Sequence, residues 1–278
     1  MTKLTLPTMK IPVKLIRYGI ISSLIGLLLG GLAVLATYLY LNPKLPAVDT
    51  LKDVQLQVPL RVYTADGALM AEFAEMKRIP LQYEQFPQRM VQAVLAAEDD
   101  RFFEHPGVDY KSLLRAGIQL ILTGKKKQGG STITMQVARN FFLSREKTYT
   151  RKINEILLSL KIERELSKEE ILSLYLNKIF LGHRSYGVAA AAQVYYGQDL
   201  ADLTIEQFAM IAGLPKAPSA YNPVTNPQRA LIRRNHILGR MHDLGFLTDE
   251  EHELALNTPD NASLHGSQAE LSAPYVAE

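Results

Sequence analysis

The sequence predicts a mostly α-helical protein with one N-terminal transmembrane helix and a small β-hairpin. No charged residue occurs from Tyr18 to Leu41, and roughly 20 apolar residues suffice to cross the hydrocarbon core of a bilayer. From about Phe86 onward the apolar residues recur at helical spacing, whereas the alternation typical of strands is nearly confined to the region before residue 80. The expected order is therefore an anchor, a hairpin and a helical domain.

The bulk composition excludes several classes of protein. The 278 residues are 47% hydrophobic and 21% charged, which is enough to bury the core of one large or two small domains. The net charge of +3 is too balanced to indicate a nucleic-acid partner. Cysteine is absent, which excludes disulfides and thiolate chemistry.

The charges that flank the apolar segment predict its orientation. Four cations precede it and one follows closely: Lys3, Lys10, Lys14, Arg17 and Lys44. By the positive-inside rule, residues 1–17 form a cytoplasmic tail, residues 18–41 cross the membrane, and the remainder lies outside. A cleaved signal peptide is the competing interpretation, but its apolar core usually spans only ~7–15 residues. We therefore expect a single-pass type II protein of the cytoplasmic membrane.

Residues 42–80 are predicted to form a linker and a short β-hairpin. Apolar residues alternate from Val54 to Tyr63, which indicates a strand, and Ala65-Asp66-Gly67 is typical of a turn. Leu69 to Phe73 is the expected return strand.

A helical domain is predicted over residues 81–245. The expected segments are 86–98, 110–122, 131–142, 150–166, 167–180, 188–196, 204–213 and 228–244. The four prolines from Pro215 to Pro227 predict a rigid, extended connection, and residues 246–278 a linker. The segment 110–122 is unusually apolar, so two interpretations stay open for it: an ordinary core helix, or a helix half-sunk in a membrane surface.

A first polar cluster, Glu98 to His105, places four carboxylates and a histidine beside two phenylalanines. Glu98 ends an apolar helical stripe, so partial desolvation and like-charge repulsion are expected to raise its pKa into the range of a general base. The ordinary alternatives are an acid that merely ends a helix and, for His105, a structural histidine.

A second cluster, Gly129 to Gln136, leads from a flexible loop into a helix N-terminus and follows the three lysines at 125–127. Exposed N–H groups and the helix dipole favour an anion such as phosphate at such a place. Glycines are common in ordinary loops, so an anion site and a plain loop both stay open.

A third cluster lies on one helix face. Lys147, Arg151 and Glu155 are four residues apart, with Lys152 beside them. A solvated salt-bridge ladder is the ordinary interpretation of this spacing. The excess of cations over the single acid favours instead a site that receives a phosphate or pyrophosphate group.

In this order the clusters closely resemble the five motifs of the family 51 peptidoglycan glycosyltransferases. The matching stretches are 98–105, 129–136, Arg151-Lys152-x-x-Glu155, 171–177, and 209–218 together with Arg233-Arg234. The resemblance covers roughly residues 80–245. The anchor and the hairpin resemble the start of a class A penicillin-binding protein.

The resemblance implies a lysozyme-like glycosyltransferase domain that polymerises lipid II into glycan strands. The reaction would invert the anomeric carbon and release undecaprenyl pyrophosphate. Carried over by position, Glu98 is the general base and Glu155 assists departure of the leaving group. The positions expected to bind the substrate are Asp99, Phe102, His105, Ser131, Thr132, Gln136, Arg139, Lys147, Arg151 and Lys152. Position 139 is often lysine in this family, and Arg139 keeps the charge.

The resemblance also implies partners and a location. The expected partners are lipid II, the growing glycan strand, the membrane and other cell-wall synthesis proteins, with the catalytic domain on the extracytoplasmic side of the inner membrane. No organic cofactor is expected, and it stays open whether Glu98 and Glu155 bind a divalent ion such as Mg or Mn.

Two other function classes stay open from the sequence. A muramidase-like hydrolase would use a similar helical fold and a glutamate to cleave glycan, and a membrane scaffold would need neither Glu98 nor Glu155. Ser144-Arg145-Glu146-Lys147 matches a transpeptidase Ser-x-x-Lys pattern, but its partner motifs do not occur, so we interpret the match as a coincidence. We expect the chain to be the N-terminal part of a bifunctional transglycosylase and transpeptidase, with 246–278 as the linker between them.

Overall fold

The computed structural model describes residues 13–52, 60–66, 69–73, 77–124, 130–143 and 148–266. Over these residues the chain is mostly helical, which confirms the predicted fold class. It separates into two compact units, Met1–Pro46 and Ala47–Glu278.

The first unit is dominated by helix α1, Val13–Leu41. Large apolar side chains point to solvent on every face of this helix, among them Leu27, Leu28 and Val34. A helix that is apolar all round is typical of a membrane span rather than of an amphipathic surface helix. The segment from Arg17 to Lys44 is long and apolar enough to cross a bilayer by length and composition.

The predicted hairpin is confirmed where the structure describes it. Strand β1, Leu60–Tyr63, pairs antiparallel with β2, Leu69–Phe73, so that Leu60 lies opposite Phe73. The earlier part of the predicted strand, residues 54–59, and Gly67 of the turn lie outside the described residues. A second pairing was not predicted: β3, Lys77–Arg78, lies parallel to β4, Ser185–Tyr186.

Nine helices follow the hairpin in the described part of the second unit. They are α2 (Gln88–Glu98), α3 (Tyr110–Thr123), α4 (Ile133–Phe142), α5 (Tyr149–Glu165), α6 (Lys168–Lys178), α7 (Val188–Tyr196), α8 (Ile205–Gly213), α9 (Pro227–Asp243) and α10 (Asp249–Asn257). The bounds of α2 to α9 agree with the predicted segments to within two residues. Ser167 and Glu170 form the capping box that starts α6.

Two predicted connections are wrong. The predicted linker 246–278 contains α10, which Thr248 and Glu251 begin with a capping box. After α10 the chain runs back along α7, where the amide of Ser263 donates to the carbonyl of Tyr195 at 2.9 Å. The predicted extended connection from Pro215 includes a turn of 3-10 helix, Leu214–Lys216.

The core of the second unit is built from two groups of helices. Helix α2 packs against α8 and α9, and α4 packs against α5 and α6. Fully buried apolar side chains fill both groups, for example Met90 on α2, Ile133 on α4 and Ile237 on α9. The C-terminal end of α2 and the N-terminal end of α4 meet through Asp99 and Ile133, and the polar clusters lie at this junction.

Helix α3 has an exposed apolar face. Leu114, Ile118 and Leu122 are four residues apart and 66%, 50% and 78% exposed. The core-helix interpretation therefore fails for this face, and the membrane-surface interpretation agrees with it.

The start of α3 depends on Asp109. Its carboxylate accepts the amide of Ser112 at 3.1 Å and pairs with Arg101. Hydrogen bonds from Ser112 and the Arg101 charge outweigh burial and lower the pKa of Asp109 to about 2.

We expect Asp109→Ala to destabilise α3 by about 0.5–2 kcal/mol at neutral pH, because the helix loses its N-cap. The pKa of Asp109 is lowered on folding, so its stabilisation is complete above pH 3.8 and is lost as the pH falls through about 2. Amide hydrogen exchange over residues 110–123 measures the change, and Asp109→Asn, which still caps, should lose less. Equal exchange in all three proteins would contradict the assignment.

Candidate active site

A cleft of about 750 Å³ opens where α2 and α4 meet. From the predicted site residues it is lined by Glu98, Asp99, Ser131, Thr132, Gln136 and Arg139. Other charged groups also line it: Lys216, Arg233, His236 and Arg240 from the turn after α8 and from α9, Arg115 from α3, and the carboxylates of Asp100 and Asp109. The cleft thus combines the half-buried carboxylate of Glu98 with a charged wall in which cations outnumber acids, and Arg240 is paired with Asp100 at 2.6 Å.

Glu98 is half-buried at the end of α2. The side-chain amide of Gln136 donates a hydrogen bond of 2.8 Å to its Oε2. Burial raises the pKa of Glu98 above its ordinary value, while this hydrogen bond and the charges of Arg233, Arg139 and Lys216 act in the opposite direction. This direction agrees with the predicted rise, but its cause is burial and not the expected repulsion between like charges. A carboxylate in this balance suits a general base.

Asp99 joins the two helices that form the cleft. Its Oδ2 accepts the backbone amide of Ile133, the first residue of α4, at 3.0 Å. His105 Nε2 lies 3.0 and 3.1 Å from the two oxygens, and since a carboxylate only accepts, the ring nitrogen donates. The carboxylate of Asp99 thereby holds the end of α2 against the start of α4, and we call the contacts that do this the frame of the cleft. Asp99 also borders the cleft.

Three other predicted substrate contacts have side chains engaged within the protein, although Thr132 also borders the cleft. Phe102 is fully buried, and His105 is turned toward Asp99. Thr132 caps α4 by accepting the amide of Met135 at 3.1 Å, and its hydroxyl donates to the carbonyl of Gly107 at 2.6 Å. These three side chains therefore shape the cleft from beneath.

Sequence reasoning missed Lys168 as part of this frame. Its Nζ donates to the carbonyl of His105 at 2.7 Å and to Glu163 at 2.8 Å, and it lies 4.4 Å from the centre of the Phe102 ring. Glu163 also accepts the hydroxyl of Thr134 at 2.5 Å. Lys168 is the first residue of α6, and nothing local in the sequence indicates that it reaches residue 105.

The third cluster forms a compact ionic group on α5. Lys152 Nζ donates to Ser131 Oγ at 2.8 Å and to Glu155 Oε2 at 3.0 Å, and Arg151 pairs with the other oxygen of Glu155. Glu155 is 1% exposed, so the solvated-ladder interpretation is wrong. Lys147, the lysines at 125–127 and Gly129 lie outside the described residues.

The two predicted catalytic acids are linked through the start of α4. Gln136 on this helix binds Glu98, and Ser131 just before it binds Lys152, which in turn binds Glu155. Glu98 borders the cleft, whereas Glu155 lies one layer behind it, covered by its two cations. Ser131, with Lys152 behind it, presents a hydroxyl and a positive charge where an anionic group would enter.

The described residues do not offer a fitting site for Mg or Mn. They contain no group of three or more acidic or histidine side chains placed to hold a metal ion. Both oxygens of Glu155 are engaged by Arg151 and Lys152. The expectation of a divalent ion stays untested, and no step below depends on it.

The cationic wall on α9 was found only in part from the sequence. Arg233 and Lys216 belong to stretches that the resemblance covers but were not named as site residues, and His236 and Arg240 were not predicted. Positions 233, 236 and 240 follow helical spacing, which places them on one face of α9. That spacing is the signal that could have identified them.

Comparisons with known proteins agree with this geometry. A model of the transglycosylase family matches residues 66–242. The chain is 57% identical over 241 residues to penicillin-binding protein 1A of Pseudomonas aeruginosa, covering 87% of this chain and 29% of that protein. It is 48% identical over 265 residues to penicillin-binding protein 1A of Escherichia coli, covering 95% and 31%. The chain therefore spans about a third of the length of these curated relatives.

Among solved structures, a crystal structure of penicillin-binding protein 1A from Haemophilus influenzae is similar to this chain. The identity is 36%, the TM-score is 0.44, and the match covers 81% of this chain and 23% of that chain. At this TM-score the overlay adds nothing to the description of the fold.

We expect Gln136→Met to move the acidic limb of the pH–rate profile upward by about 1–2 pH units. The hydrogen bond from Gln136 stabilises the ionised form of Glu98. Its removal therefore raises the pKa of Glu98 further. The measurement is the pH dependence of kcat for the reaction proposed below. Gln193→Met on α7, whose amide binds Asp199, is the matched control, and an unmoved limb in Gln136→Met would contradict the assignment.

Proposed function

The chain belongs to the transglycosylase family, and from this premise we propose that it is a peptidoglycan glycosyltransferase that polymerises lipid II. The observation that best supports the proposal is that a candidate base and an anion receptor line the same cleft. Glu98 is a partly desolvated carboxylate, and Ser131, held by Lys152, is an anion receptor in the same cavity. A glycosyl transfer from a pyrophosphate ester needs one base and one receptor for the leaving anion.

Glu98 acts as the general base in this proposal. Its carboxylate takes the proton of the 4-hydroxyl of the acceptor sugar, and that oxygen forms a bond to the anomeric carbon of the donor. The bond from this carbon to the pyrophosphate oxygen breaks at the same time, and its electron pair leaves with the pyrophosphate. Attack from the face opposite the leaving group inverts the configuration, as in other displacements by a hydroxyl that one carboxylate activates.

Ser131 and the cations of α5 receive the leaving group. A departing pyrophosphate carries its charge without needing a proton, so fixed positive groups stabilise it. Glu155 contacts both Arg151 and Lys152, and we assign its assistance to departure to this contact, because it holds Lys152 against Ser131, which lines the cleft. Removing one partner of a buried ionic group leaves the others unpaired and is strongly destabilising.

The membrane supplies the substrate in this proposal. Helix α1 is long and apolar enough to be an anchor, and the exposed apolar face of α3 suits the surface of a bilayer. A lipid-linked donor would enter the cleft from that surface. By the positive-inside rule the catalytic unit is extracytoplasmic and the protein is a single-pass type II protein of the inner membrane.

We expect Glu98→Gln to reduce the polymerisation of lipid II by about 10²–10⁴-fold, the usual contribution of a general base. Electrophoresis of labelled glycan strands measures the product, and thermal unfolding checks that the variant is folded. Glu104→Gln is the matched control, because Glu104 is an exposed acid of the same cluster.

Near-normal strand synthesis by Glu98→Gln would refute the proposed role. Release of fragments from finished peptidoglycan without consumption of lipid II would instead identify a hydrolase.

A further inference from the structure

A buried hydroxyl under the active-site cleft lacks a partner. Tyr175 on α6 is 1% exposed, and its hydroxyl oxygen finds no hydrogen-bond partner among the described residues. Buried polar groups are nearly always paired, and an exception calls for an explanation. Tyr195 shows the ordinary case in the same protein, since its buried hydroxyl donates to the carbonyl of Leu181 at 2.9 Å.

Tyr175 is surrounded by charged groups that belong to the proposed base and its neighbours. The charges that act on its hydroxyl are those of Glu98, Arg139 and Asp99, with Glu98 the strongest. Burial raises the pKa of Tyr175 well above its ordinary value, so the phenol stays protonated and can only approach a carboxylate as a donor.

Among these neighbours, Glu98 has the less occupied carboxylate. The oxygens of Asp99 already accept the ring of His105 and the amide of Ile133. Arg139 has no acceptor atom in its side chain. In the described part of the chain, Glu98 receives one hydrogen bond, from Gln136 to Oε2, which leaves Oε1 for a second donor.

We propose that Tyr175 is a positioning residue whose hydroxyl donates to Oε1 of Glu98 whenever that carboxylate is ionised, with or without substrate. This inference rests on the proposed function of Glu98. Gln136 and Tyr175 would then hold the carboxylate from two helices, α4 and α6, and aim its remaining lone pairs at the acceptor hydroxyl. The other charged groups around Glu98 are Arg139 on α4, Arg233 on α9, Lys216 after α8 and Asp99 at the end of α2.

The test uses the Tyr175→Phe variant of the full chain, which is measured first without substrate. Infrared difference spectra of the Glu98 carboxyl, isolated by subtracting Glu98→Gln, give its ionisation directly. A lost hydrogen bond to the ionised form should raise the pKa of Glu98 by about one unit, a tenfold change in its ionisation equilibrium. This readout is independent of polymerisation, so the inference and the proposed function can fail separately.

The second readout is the rate of lipid II polymerisation. We expect the acidic limb of kcat to move up by about one pH unit in Tyr175→Phe, with KM unchanged. Tyr195→Phe is the matched control; it loses a buried hydroxyl outside the cleft and should leave the limb in place.

An unshifted Glu98 carboxyl in folded Tyr175→Phe would overturn the inference, as would an equal shift in Tyr195→Phe. If Tyr175→Phe does not fold, Tyr175 is replaced by 3-fluorotyrosine and the same spectra are recorded. The more acidic phenol is a stronger donor, so the Glu98 carboxyl should shift in the opposite direction, to lower pH. No shift with fluorotyrosine would also overturn the inference.

Discussion

The geometry of the cleft depends on the carboxylate of Asp99. It accepts the first amide of α4 and the ring of His105 at once, and it follows Glu98 directly in the chain. A buried anion at a helix N-terminus is stabilised by the free amide groups and the dipole there. This bond holds the end of α2, with Glu98, against the start of α4, with Ser131. Together with the hydrogen bond from Gln136 to Glu98, it fixes the position of the base relative to the anion receptor.

The cleft also depends on a balance between burial and positive charge. Burial raises the pKa of Glu98 and disfavours the ionised form that a base needs, while Arg233, Arg139 and Lys216 favour that form. The same cationic character suits a pyrophosphate. Glu155 has a different task, since it is fully covered and paired with Arg151 and Lys152. The two glutamates therefore differ because one borders the cleft and the other lies behind the cations.

Much of the fold and part of the site could be predicted from the sequence. The helix bounds follow from local periodicity and capping, as Ser167 and Thr204 show. The desolvation of Glu98 follows from its place at the end of an apolar stripe. The frame could not be predicted, because it joins residues far apart in the chain: Asp99 reaches Ile133, and Lys168 reaches His105. For the same reason, motif membership alone did not distinguish Phe102 and His105, which lie behind the cleft, from Ser131 and Gln136, which line it.

The most direct test of the central claim is a crystal structure of the protein with a non-hydrolysable lipid II analogue. We predict that a carboxylate oxygen of Glu98 lies within about 2.6–3.2 Å of the acceptor 4-hydroxyl. We also predict that the pyrophosphate is bound by Ser131 and Lys152. A pyrophosphate seated on Arg240 and His236 instead, with Glu98 out of reach of any sugar hydroxyl, would contradict it.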